Sequence, residues 1–511
     1  MESSWILFAL LYGAAVAFVA KLIIHRTKPN RKFPPGPKPW PIIGNLNLIG
    51  PIPHQSFHHL SQKYGEIMQL KFGKYPVLVA SSPEMARQFL RVHDASFASR
   101  PSLAAGKYTS YNYRDLVWAP HGPYWRQTRR IYFFEVLSPK KLDLYKQVRA
   151  NERQNFLSNL RALAGKPVVL KDHLSRYSLS TVWKIISKDE YFSDSNGGHS
   201  VLNMDELHEM VDEWFLLSGV FNIGDWIPWL SPFDLQGYVK KMKALNKKMD
   251  KFYNYVIDDH LARRVEEKDE IAPMDFVDTL LQIAKDGNKV EVELTRDCVK
   301  ALIQNLIVGS MDTSATTIEW AIHEIIRHPR IIEKAKAELD KVIGRERWVG
   351  EDDFSQLPYL DAILTETFRL HPLATLLVPH YAIQDCNVVG YNVSKGTTVF
   401  VNVWSIGRDP GAWDSPDEFL PERFLGKETD LSGSNFALLP FGSGRRICPG
   451  YNLGLKVVRT MLANLLHGFD LKLVDGMKPE DVSLEEEYGL TTHPKHRLSL
   501  LMEPTLPVHL Y

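Results

Sequence analysis

The stretch Phe441-Gly442-Ser443-Gly444-Arg445-Arg446-Ile447-Cys448-Pro449-Gly450 is the most informative part of this 511-residue chain. Two glycines ahead of the cysteine allow a tight turn with positive φ, and a helix is predicted directly after the loop, over Tyr451–Leu465. A single cysteine is more often a small buried apolar residue. In a loop of this kind, next to a helix N-terminus and two arginines, the thiolate form is favoured instead. We therefore interpret Cys448 as a residue that does chemistry, alone or with a cofactor.

The composition is that of a globular protein with a sizeable core, since 44% of the residues are hydrophobic and 24% are charged. The 61 Lys and Arg residues balance the 60 Asp and Glu residues, so the net charge is +1. This balance argues against non-specific nucleic-acid binding, and we expect no nucleic-acid partner. The other two cysteines, Cys298 and Cys386, leave an odd and sparse count, which gives no disulfide framework and suggests a reducing compartment.

Helical patterns dominate the chain outside the cysteine loop. Cys298–Arg327 has no proline, is mostly apolar and is too long for an ordinary surface helix, so we expect it to cross the core. Val239–Glu267 is a second long candidate helix, and Pro416–Ser443 is rich in proline, glycine and asparagine and is predicted to be irregular. Strand patterns are few, which predicts a mainly α protein with a small β lobe. They are Ile67–Phe72, Val77–Ala80, Thr397–Val403 and Leu498–Met502.

The N-terminus has the pattern of a membrane anchor. Trp5–Ile24 contains one charged residue, Lys21, and is long enough for one helix across a bilayer. Basic residues follow it, so the positive-inside rule places the N-terminus in the lumen and the body in the cytosol. The alternative is a cleaved signal peptide with Ala15-Val16-Ala17 as the cleavage site, although no positive charge precedes the apolar run.

The cysteine loop resembles the heme-binding signature of cytochrome P-450 enzymes. Phe441, Gly444, Arg446, Cys448 and Gly450 match all five fixed positions of that signature. Further landmarks of the family occur in the expected order, and some of them resemble the large plant microsomal group. These landmarks are Phe97–Pro101, Trp125–Arg129, Gly309–Ser314, Glu366–Arg369, Asn402–Trp404 and Pro421–Phe424.

The resemblance covers the whole chain and implies a cytochrome P-450 fold, mainly α with a small β lobe, preceded by an N-terminal transmembrane helix. It implies an N-terminal membrane anchor over residues 1–28, a basic and proline-rich hinge over residues 29–45, and a heme-thiolate catalytic domain over residues 46–511. The closely spaced prolines of the hinge hold the chain extended and stiff. We expect a single-pass protein of the endoplasmic reticulum membrane with a cytosolic catalytic domain.

The implied cofactor is heme b (iron protoporphyrin IX), with Cys448 as the metal ligand whose thiolate favours O–O bond cleavage. The resemblance also implies that Glu366, Arg369 and Arg423 form a buried ion-pair network. His380 either helps to hold the heme or is a surface histidine. The implied cofactor-binding residues are Trp125, Arg129, His380, Phe441, Arg446 and Cys448.

Asp312 and Thr313 are the implied catalytic residues. The Thr313 hydroxyl can hold a water, and Asp312 can relay protons. Without the cysteine loop, they would be an ordinary helical acid and a threonine bonded back to its own helix. The segment departs from the family pattern at Ser310, where the family usually has glycine, and this change is expected to alter water or substrate placement without inactivating the site.

Electrons are expected to come from another protein. Gly442-Ser443-Gly444 is followed by Ile447 where a dinucleotide-binding fingerprint needs glycine, so the chain is not expected to bind NADPH itself. The resemblance implies a membrane-bound NADPH-cytochrome reductase as partner, beside membrane lipid. Arg126 and Arg130 are either a basic docking face for the reductase or two solvated arginines.

The implied function is a heme-thiolate monooxygenase that inserts one oxygen atom from dioxygen into a small hydrophobic plant specialised metabolite. The alternatives are a heme-thiolate isomerase or dehydratase that acts without dioxygen, and a non-catalytic membrane heme protein. General resemblance to plant aromatic hydroxylases favours a phenolic or flavonoid substrate over a terpenoid. The segments expected to line the pocket are Lys107–Tyr113, Gln304–Thr313, Leu373–Leu377 and Gly489–Thr492, with Leu373, Ala374 and Leu490 as specificity residues.

Overall fold

The computed structural model describes residues 32–187, 191, 202–266, 275–286, 291–427, 429–474 and 476–511. The predicted anchor over residues 1–28 lies outside these ranges, as do the first residues of the hinge. Within these ranges, no helix combines the length and the apolar composition that crossing a membrane requires. The described body is mainly helical with small sheets, as predicted.

The α-helices are numbered in chain order. They are α1 Pro53–Tyr64, α2 Pro83–Arg87, α3 Asp94–Phe97, α4 Ala104–Tyr108, α5 Pro123–Tyr132, α6 Pro139–Leu144, α7 Lys146–Ala162, α8 Leu170–Ile186, α9 Met204–Gly219, α10 Ile223–Trp226, α11 Tyr238–Glu266, α12 Phe276–Lys285, α13 Arg296–Arg327, α14 Pro329–Val342, α15 Pro358–Leu370, α16 Val403–Ile406 and α17 Tyr451–Gly468. Short 3-10 turns include Pro421–Phe424 and Gly444–Arg446, and π turns cover Gln88–Val92 and Phe133–Leu137.

The strands are short and form two small sheets and two hairpins among the described residues. They are β1 Ile67–Phe72, β2 Tyr75–Ala80, β3 Pro167–Val169, β4 His380–Tyr381, β5 Cys386–Val388, β6 Tyr391–Val393, β7 Thr398–Val401, β8 Phe469–Leu473, β9 Glu486–Tyr488, β10 Thr492–Pro494 and β11 Ser499–Pro504. The larger sheet has the order β1-β2-β7-β4, and the smaller one has the order β3-β11-β8. Strands β2 and β7 are parallel, while β9 and β10 form an antiparallel hairpin that lies beside α13.

Helix α13 crosses the core, as its length and composition predict. Thr295 caps its N-terminus by accepting a hydrogen bond from the Cys298 N–H at 3.4 Å. The helix ends at Arg327, and Pro329 then begins α14, where a missing N–H costs nothing. Most residues of α13 are buried against α8, α15 and α17, which explains why the helix is apolar on nearly all sides.

The predicted ion-pair network fastens α15 to the irregular segment that follows α16. Arg369 donates to both carboxylate oxygens of Glu366, at 2.6 and 2.8 Å, and Arg423 donates to the same carboxylate at 3.0 Å. The side chains of Glu366 and Arg369 are fully buried. Since removing one member of a buried pair leaves the other charge without compensation, this network holds the two segments in one position.

The elements predicted from the sequence differ from the observed ones mainly at their ends. The predicted helix Tyr451–Leu465 continues to Gly468, because Leu466 and His467 are buried and extend the packed face. The segment Pro416–Ser443 is irregular in its described residues, apart from a 3-10 turn at Pro421–Phe424.

Candidate active site

The cysteine loop adopts the tight geometry that its glycines predict. Gly442 and Gly444 have φ values of 70° and 67°, and a Cβ atom on Gly444 would lie 2.1 Å from the carbonyl oxygen of Leu90. Only glycine fits such a position without a shift of the backbone. The Cys448 N–H donates to the Phe441 carbonyl at 2.9 Å, which closes the loop just before α17.

Opposing influences act on the Cys448 thiol. Burial raises its pKa, while the Gly450 N–H and the Arg129 guanidinium lower it. Burial outweighs them, so the pKa of the thiol lies above its ordinary value. A thiol in this setting becomes a stable thiolate when a metal cation binds to it, because the cation supplies the missing charge.

Three buried or half-buried arginines surround the loop and bond to backbone oxygens. Arg446 donates to the carbonyls of Ala98 and Ala119, each at 2.6 Å, and Arg129 donates to the Ile447 carbonyl at 2.9 Å. In the part of the chain that the structure describes, none of Arg100, Arg129 and Arg446 has a carboxylate within ion-pair distance, whereas the neighbouring Arg445 pairs with Asp94 at 2.6 Å.

Burial disfavours the charged forms of these arginines in the protein without a ligand. It lowers the pKa of Arg446 to about 8 and that of Arg100 to about 9. Trp125, 4% exposed, has an indole N–H without a hydrogen-bond partner among the described residues, and the Arg446 guanidinium lies 4.3 Å from the centre of one of its rings. Unpaired buried donors of this kind are expected where an anionic group binds.

His380 lies in β4 and is 3% exposed, so its interpretation as a surface histidine is wrong. Its Nδ1 lies 3.0 Å from the Phe97 carbonyl oxygen. Burial, and secondarily Arg100, hold the pKa of His380 well below its ordinary value, so the ring is neutral near pH 7. The ring therefore adds no charge to the arginine cluster.

One face of α13 is open in the middle of a buried helix. Gly309 is exposed, Ser310 and Thr313 are partly exposed, and a Cβ atom on Gly309 would meet nothing within 4 Å. The Thr313 hydroxyl donates to the Gly309 carbonyl at 2.8 Å. The Ser310 hydroxyl is bonded to the carbonyls of its own helix, so the departure from glycine adds no free donor to this face.

The side chain of Asp312 is buried, although the neighbouring Thr313 lies on the open face of α13. Its carboxylate is fully buried and accepts hydrogen bonds from Lys171 at 2.5 Å and Thr316 at 3.1 Å. His493 Nε2 lies 3.0 Å from its second oxygen, which also accepts from Thr491 at 3.2 Å. Although burial raises the pKa of Asp312, the charges of His493 and Lys171 outweigh it and hold the pKa well below its usual range.

The structure brings some of the predicted pocket residues together. Leu490 and Thr375–Leu377 line a small cavity of about 30 Å³ with Trp118 and Tyr488. Leu373 and Ala374 do not line this cavity, and Leu373 instead accepts a hydrogen bond from the Thr492 N–H at 2.8 Å.

Sequence reasoning missed Arg100, Lys171 and His493 as parts of the site. Arg100 lies within the landmark Phe97–Pro101, so its position carried a usable signal. Lys171 and His493 lie far from Asp312 in sequence, and no local pattern connects the three residues. Their contact exists because α8 and the β9–β10 hairpin pack on the same part of α13.

These residues fit a heme group. The Cys448 thiol is the kind of soft ligand that iron accepts, and the positively charged arginines with the unbonded Trp125 N–H suit two carboxylates. The face of α13 at Gly309 has free space, since a Cβ atom there would meet nothing within 4 Å.

Comparison with known proteins shows similarity over nearly the whole chain. The family profile described as Cytochrome P450 matches residues 34–500. The dimethylnonatriene synthase of Zea mays is 42% identical over 522 residues, with 98% of each chain covered. The flavonoid 3'-monooxygenase of Petunia hybrida is 42% identical over 508 residues, with 97% of this chain and 98% of the relative covered.

A solved zebra fish cytochrome P450 structure with progesterone superposes with a TM-score of 0.72 at 26% sequence identity, and the match covers 88% of this chain and 99% of that chain. The family binds heme and uses small-molecule substrates and redox partners. The profile match, the close plant relatives and the shared fold agree over nearly the full length. The chain belongs to the cytochrome P450 family, as a heme-binding oxygenase.

Proposed function

We propose that this protein is a heme-thiolate monooxygenase that inserts one oxygen atom from dioxygen into a small hydrophobic specialised metabolite, with Cys448 as the iron ligand. The observation that carries the proposal is the cluster of buried or half-buried arginines around the Trp125 N–H, beside Cys448, which have no carboxylate within ion-pair distance among the described residues. Arg446, Arg129 and Trp125 would hold the heme carboxylates, and Arg100 would join them.

When bound, a heme with a thiolate ligand supplies dioxygen activation and O–O bond cleavage. The residues of this chain orient the group and move protons. Phe441, whose ring centre lies 5.5 Å from that of Phe368, packs at the start of the loop and fixes the position of Cys448. His380, neutral and bonded to the Phe97 carbonyl, would support the arginine cluster without competing for the anionic groups.

Thr313 would hold a water at the open face of α13, and Asp312 would take part in proton supply. The regular cysteine loop and the intact Asp312-Thr313 pair favour oxygenation over isomerisation or dehydration of a peroxide. They also count against a non-catalytic heme protein, because such a protein needs no proton supply.

The relatives support two substrate classes. Flavonoid 3'-monooxygenases are named for a phenolic substrate, and dimethylnonatriene synthase is named for a hydrocarbon. We prefer a phenolic or flavonoid substrate. Leu490, Leu376 and Leu377 make the lining of the small cavity mainly apolar, and Thr375 and Tyr488 add hydroxyl groups to it.

The electron donor in this proposal is a membrane-bound NADPH-cytochrome reductase. Arg126 and Arg130 are exposed on α5, the helix whose buried side carries Trp125. Arg126 has one distant ion-pair partner, Glu291 at 3.8 Å. Two exposed cations next to the proposed heme site suit an acidic partner surface.

Association with the endoplasmic reticulum membrane is supported by an exposed apolar surface near the predicted hinge. The Gly73 N–H donates to the Ile43 carbonyl at 3.1 Å, and Gly73 also approaches Trp226 closely, so the hinge and the segment after α10 are neighbours. Large apolar side chains are exposed on both and favour an interfacial position: Trp40, Ile42, Trp229, Phe233 and Leu235. Protease added to sealed microsomes should digest a cytosolic body.

The testing experiment is a substrate panel in reductase-containing microsomes, with NADPH consumption, peroxide release and product identity measured together. Phenolics, flavonoids and terpenes are offered to the wild type and to Thr313→Ala. Thr313→Ala should divert reducing equivalents to peroxide, because its open-face hydroxyl is lost. Thr317→Ala is the matched control, since Thr317 makes the same hydrogen bond to its own helix but is buried. A wild type that makes no oxygenated product from any class would contradict the proposal.

A further inference from the structure

A polar cavity of about 230 Å³ lies between α8, α9, α13 and the β9–β10 hairpin. It is separate from the small apolar cavity near Leu490 and has a different, strongly charged lining. Its volume is sufficient for several waters, because a water occupies about 30 Å³ in the liquid. The lining includes Lys171, Asp212, Glu319, His493, Lys495 and Arg497.

The cavity contains polar atoms that the described protein does not satisfy. Glu319 is 6% exposed, and its Oε1 has no hydrogen-bond partner among the described residues; the same holds for Asp212 Oδ1. Burial raises the pKa of Glu319 to about 7, with Lys171 and His493 acting against it. Buried carboxyl oxygens of this kind are normally bonded to water, so a cavity with this lining is expected to be wet.

His493 connects this cavity with Asp312. Its side chain is 22% exposed, whereas Asp312 is fully buried and the Lys171 side chain is 4% exposed. The Nε2 atom of His493 lies 3.0 Å from Asp312 Oδ2 and 2.7 Å from the Thr491 hydroxyl. Among the groups bonded to the Asp312 carboxylate in the described structure, His493 therefore combines an imidazole, whose two nitrogens can accept and donate a proton, with contact to solvent.

The Asp312 carboxylate is in turn one residue from Thr313, whose hydroxyl lies on the open face of α13. The order in space is thus the wet cavity, His493, Asp312 and the turn of α13 that carries Thr313. Protons need such a path because most residues of α13 are buried.

We propose that His493 is the proton-uptake residue of this enzyme. The inference rests on the proposed function. Protonated water in the cavity gives a proton to Nδ1 of the imidazole and is left as neutral water, and the proton on Nε2 passes to Asp312 Oδ2. Asp312 then releases that proton toward Thr313, so one proton moves per cycle and no electrons move. The ring returns to its starting tautomer by exchanging its Nδ1 proton for one on Nε2 through the cavity water.

The competing role is a purely structural one, in which His493 ties the β9–β10 hairpin to α13. Both roles need the hydrogen bond to Asp312, but only proton uptake needs an imidazole. The charged and titratable groups that face His493 or share its cavity are Lys171 of α8, Asp212 and Glu213 of α9, Asp312 and Glu319 of α13, Glu487 of β9, and Lys495 and Arg497 after β10.

The test compares His493→Gln with His493→Ala in the full-length, heme-loaded protein. Glutamine keeps a side-chain N–H for Asp312 but cannot titrate near neutral pH. His496→Gln is the matched control, because His496 lies three residues away, is 60% exposed and pairs with Glu485 instead. Product per NADPH and peroxide release are measured from mildly acidic to mildly alkaline pH, and unfolding by urea is measured in parallel.

We expect His493→Gln to unfold like the wild type but to form about ten-fold less product per NADPH, with the largest deficit at alkaline pH, because the supply of protons limits it there. His496→Gln should match the wild type. Hydrogen peroxide supplied in place of NADPH and dioxygen should restore product formation in His493→Gln, since both protons then arrive with the oxidant.

A His493→Gln protein with wild-type coupling and pH profile would overturn the proposal. So would a deficit in His493→Ala that glutamine repairs fully, because this result assigns a structural role. A readout that needs no substrate is the NMR signal of the His493 ring in histidine-labelled protein, identified by its loss in His493→Gln. Asp312→Asn should shift this signal, and an unmoved signal would also overturn the proposal, whereas failure of the substrate panel alone would count against the proposed function.

Discussion

Buried charges are compensated differently in the cysteine loop and in the Asp312 segment of α13. Around Cys448, Arg129 and Arg446 donate to backbone carbonyls and have no carboxylate within ion-pair distance among the described residues. Around Asp312, the carboxylate is bonded to Lys171, to the hydroxyls of two threonines and to one imidazole. In our proposal an anionic ligand completes the first region, whereas the Asp312 carboxylate finds its partners within the protein. Substitutions of the arginines in the first region should therefore weaken cofactor binding, and removal of the Lys171 charge from the second region should weaken folding.

The largest expected effect is that of Cys448→Ser. Serine lacks the soft thiolate that iron prefers, so the reduced carbon-monoxide complex should lose its red-shifted Soret band entirely. The measurement is the reduced carbon-monoxide difference spectrum of microsomes that contain the variant.

Cys298→Ser and Cys386→Ser are the controls for that spectrum. Cys298 is buried near the Thr295 cap of α13, and Cys386 lies in β5, so neither is part of the cysteine loop. Both variants should keep the band. If Cys448→Ser also kept it, the assignment of the iron ligand would be wrong.

Lys171→Met is expected to have the second largest effect and to act on stability. It removes one member of a fully buried ion pair and leaves the Asp312 charge less compensated, which typically costs about 3–5 kcal/mol. The free energy of unfolding by urea measures this loss. Arg176→Met on the same helix is the control, because its pair with Asp205 is exposed and should contribute about 0–1 kcal/mol.

The loss of stability in Lys171→Met should depend on pH in a definite direction. The pKa of Asp312 is depressed by folding, so its stabilising contribution is present above the pKa of an unfolded aspartate and is lost as the pH falls through the lower, folded value. In Lys171→Met, the depression is smaller. The wild type should therefore exceed the variant most at neutral pH, and their stabilities should converge in acid. A difference that is constant with pH would argue that Lys171 acts by packing alone.

Arg446→Leu should weaken heme binding without a comparable loss of folding. Arg446 is half-buried and has no carboxylate within ion-pair distance in the described part of the chain, so leucine removes a costly charge from the protein and one charge-assisted contact from the ligand. Such contacts contribute about 1.5–3 kcal/mol, which corresponds to heme affinity that is roughly ten- to hundred-fold weaker. The heme content of purified protein measures this, and Arg445→Leu is the matched control, since Arg445 pairs with Asp94.

The same contrast explains which parts of the site could be predicted. The cysteine loop was predictable because its geometry is set within ten residues by Gly442, Gly444 and the Cys448 N–H. The long helix α13 was predictable from its apolar composition and the nearby Pro329. These features depend on the conformational preferences of residues close together in the chain, so they can be predicted from the sequence.

The partners of Asp312 were not predictable for the opposite reason. Lys171 and His493 reach it from α8 and β10, and nothing in their neighbouring residues marks them as partners of a buried carboxylate. The burial of His380 could not be predicted either, and the alternative of a surface histidine is wrong, because its burial results from the packing of β4 against β7 and the segment that contains Phe97. Contacts of this kind depend on tertiary packing rather than on local sequence.

The smallest expected effects concern the small cavity near Leu490, where the substrate would bind. Leu490 lines the small apolar cavity, whereas Ala374 does not, so Leu490→Ala should change the distribution of products more than Ala374→Leu. Pocket changes of this size shift discrimination between substrates by about 1–3 kcal/mol. The carbon-monoxide spectrum should stay normal in both variants, because neither residue belongs to the cysteine loop. Leu144→Ala, at a position 66% exposed on α6, is the control.

Product profiles from the substrate panel test whether this cavity holds the substrate. If Leu490→Ala and Leu144→Ala give the same profile, the substrate is not held by this cavity. The specificity of the enzyme must then reside nearer to the open face of α13.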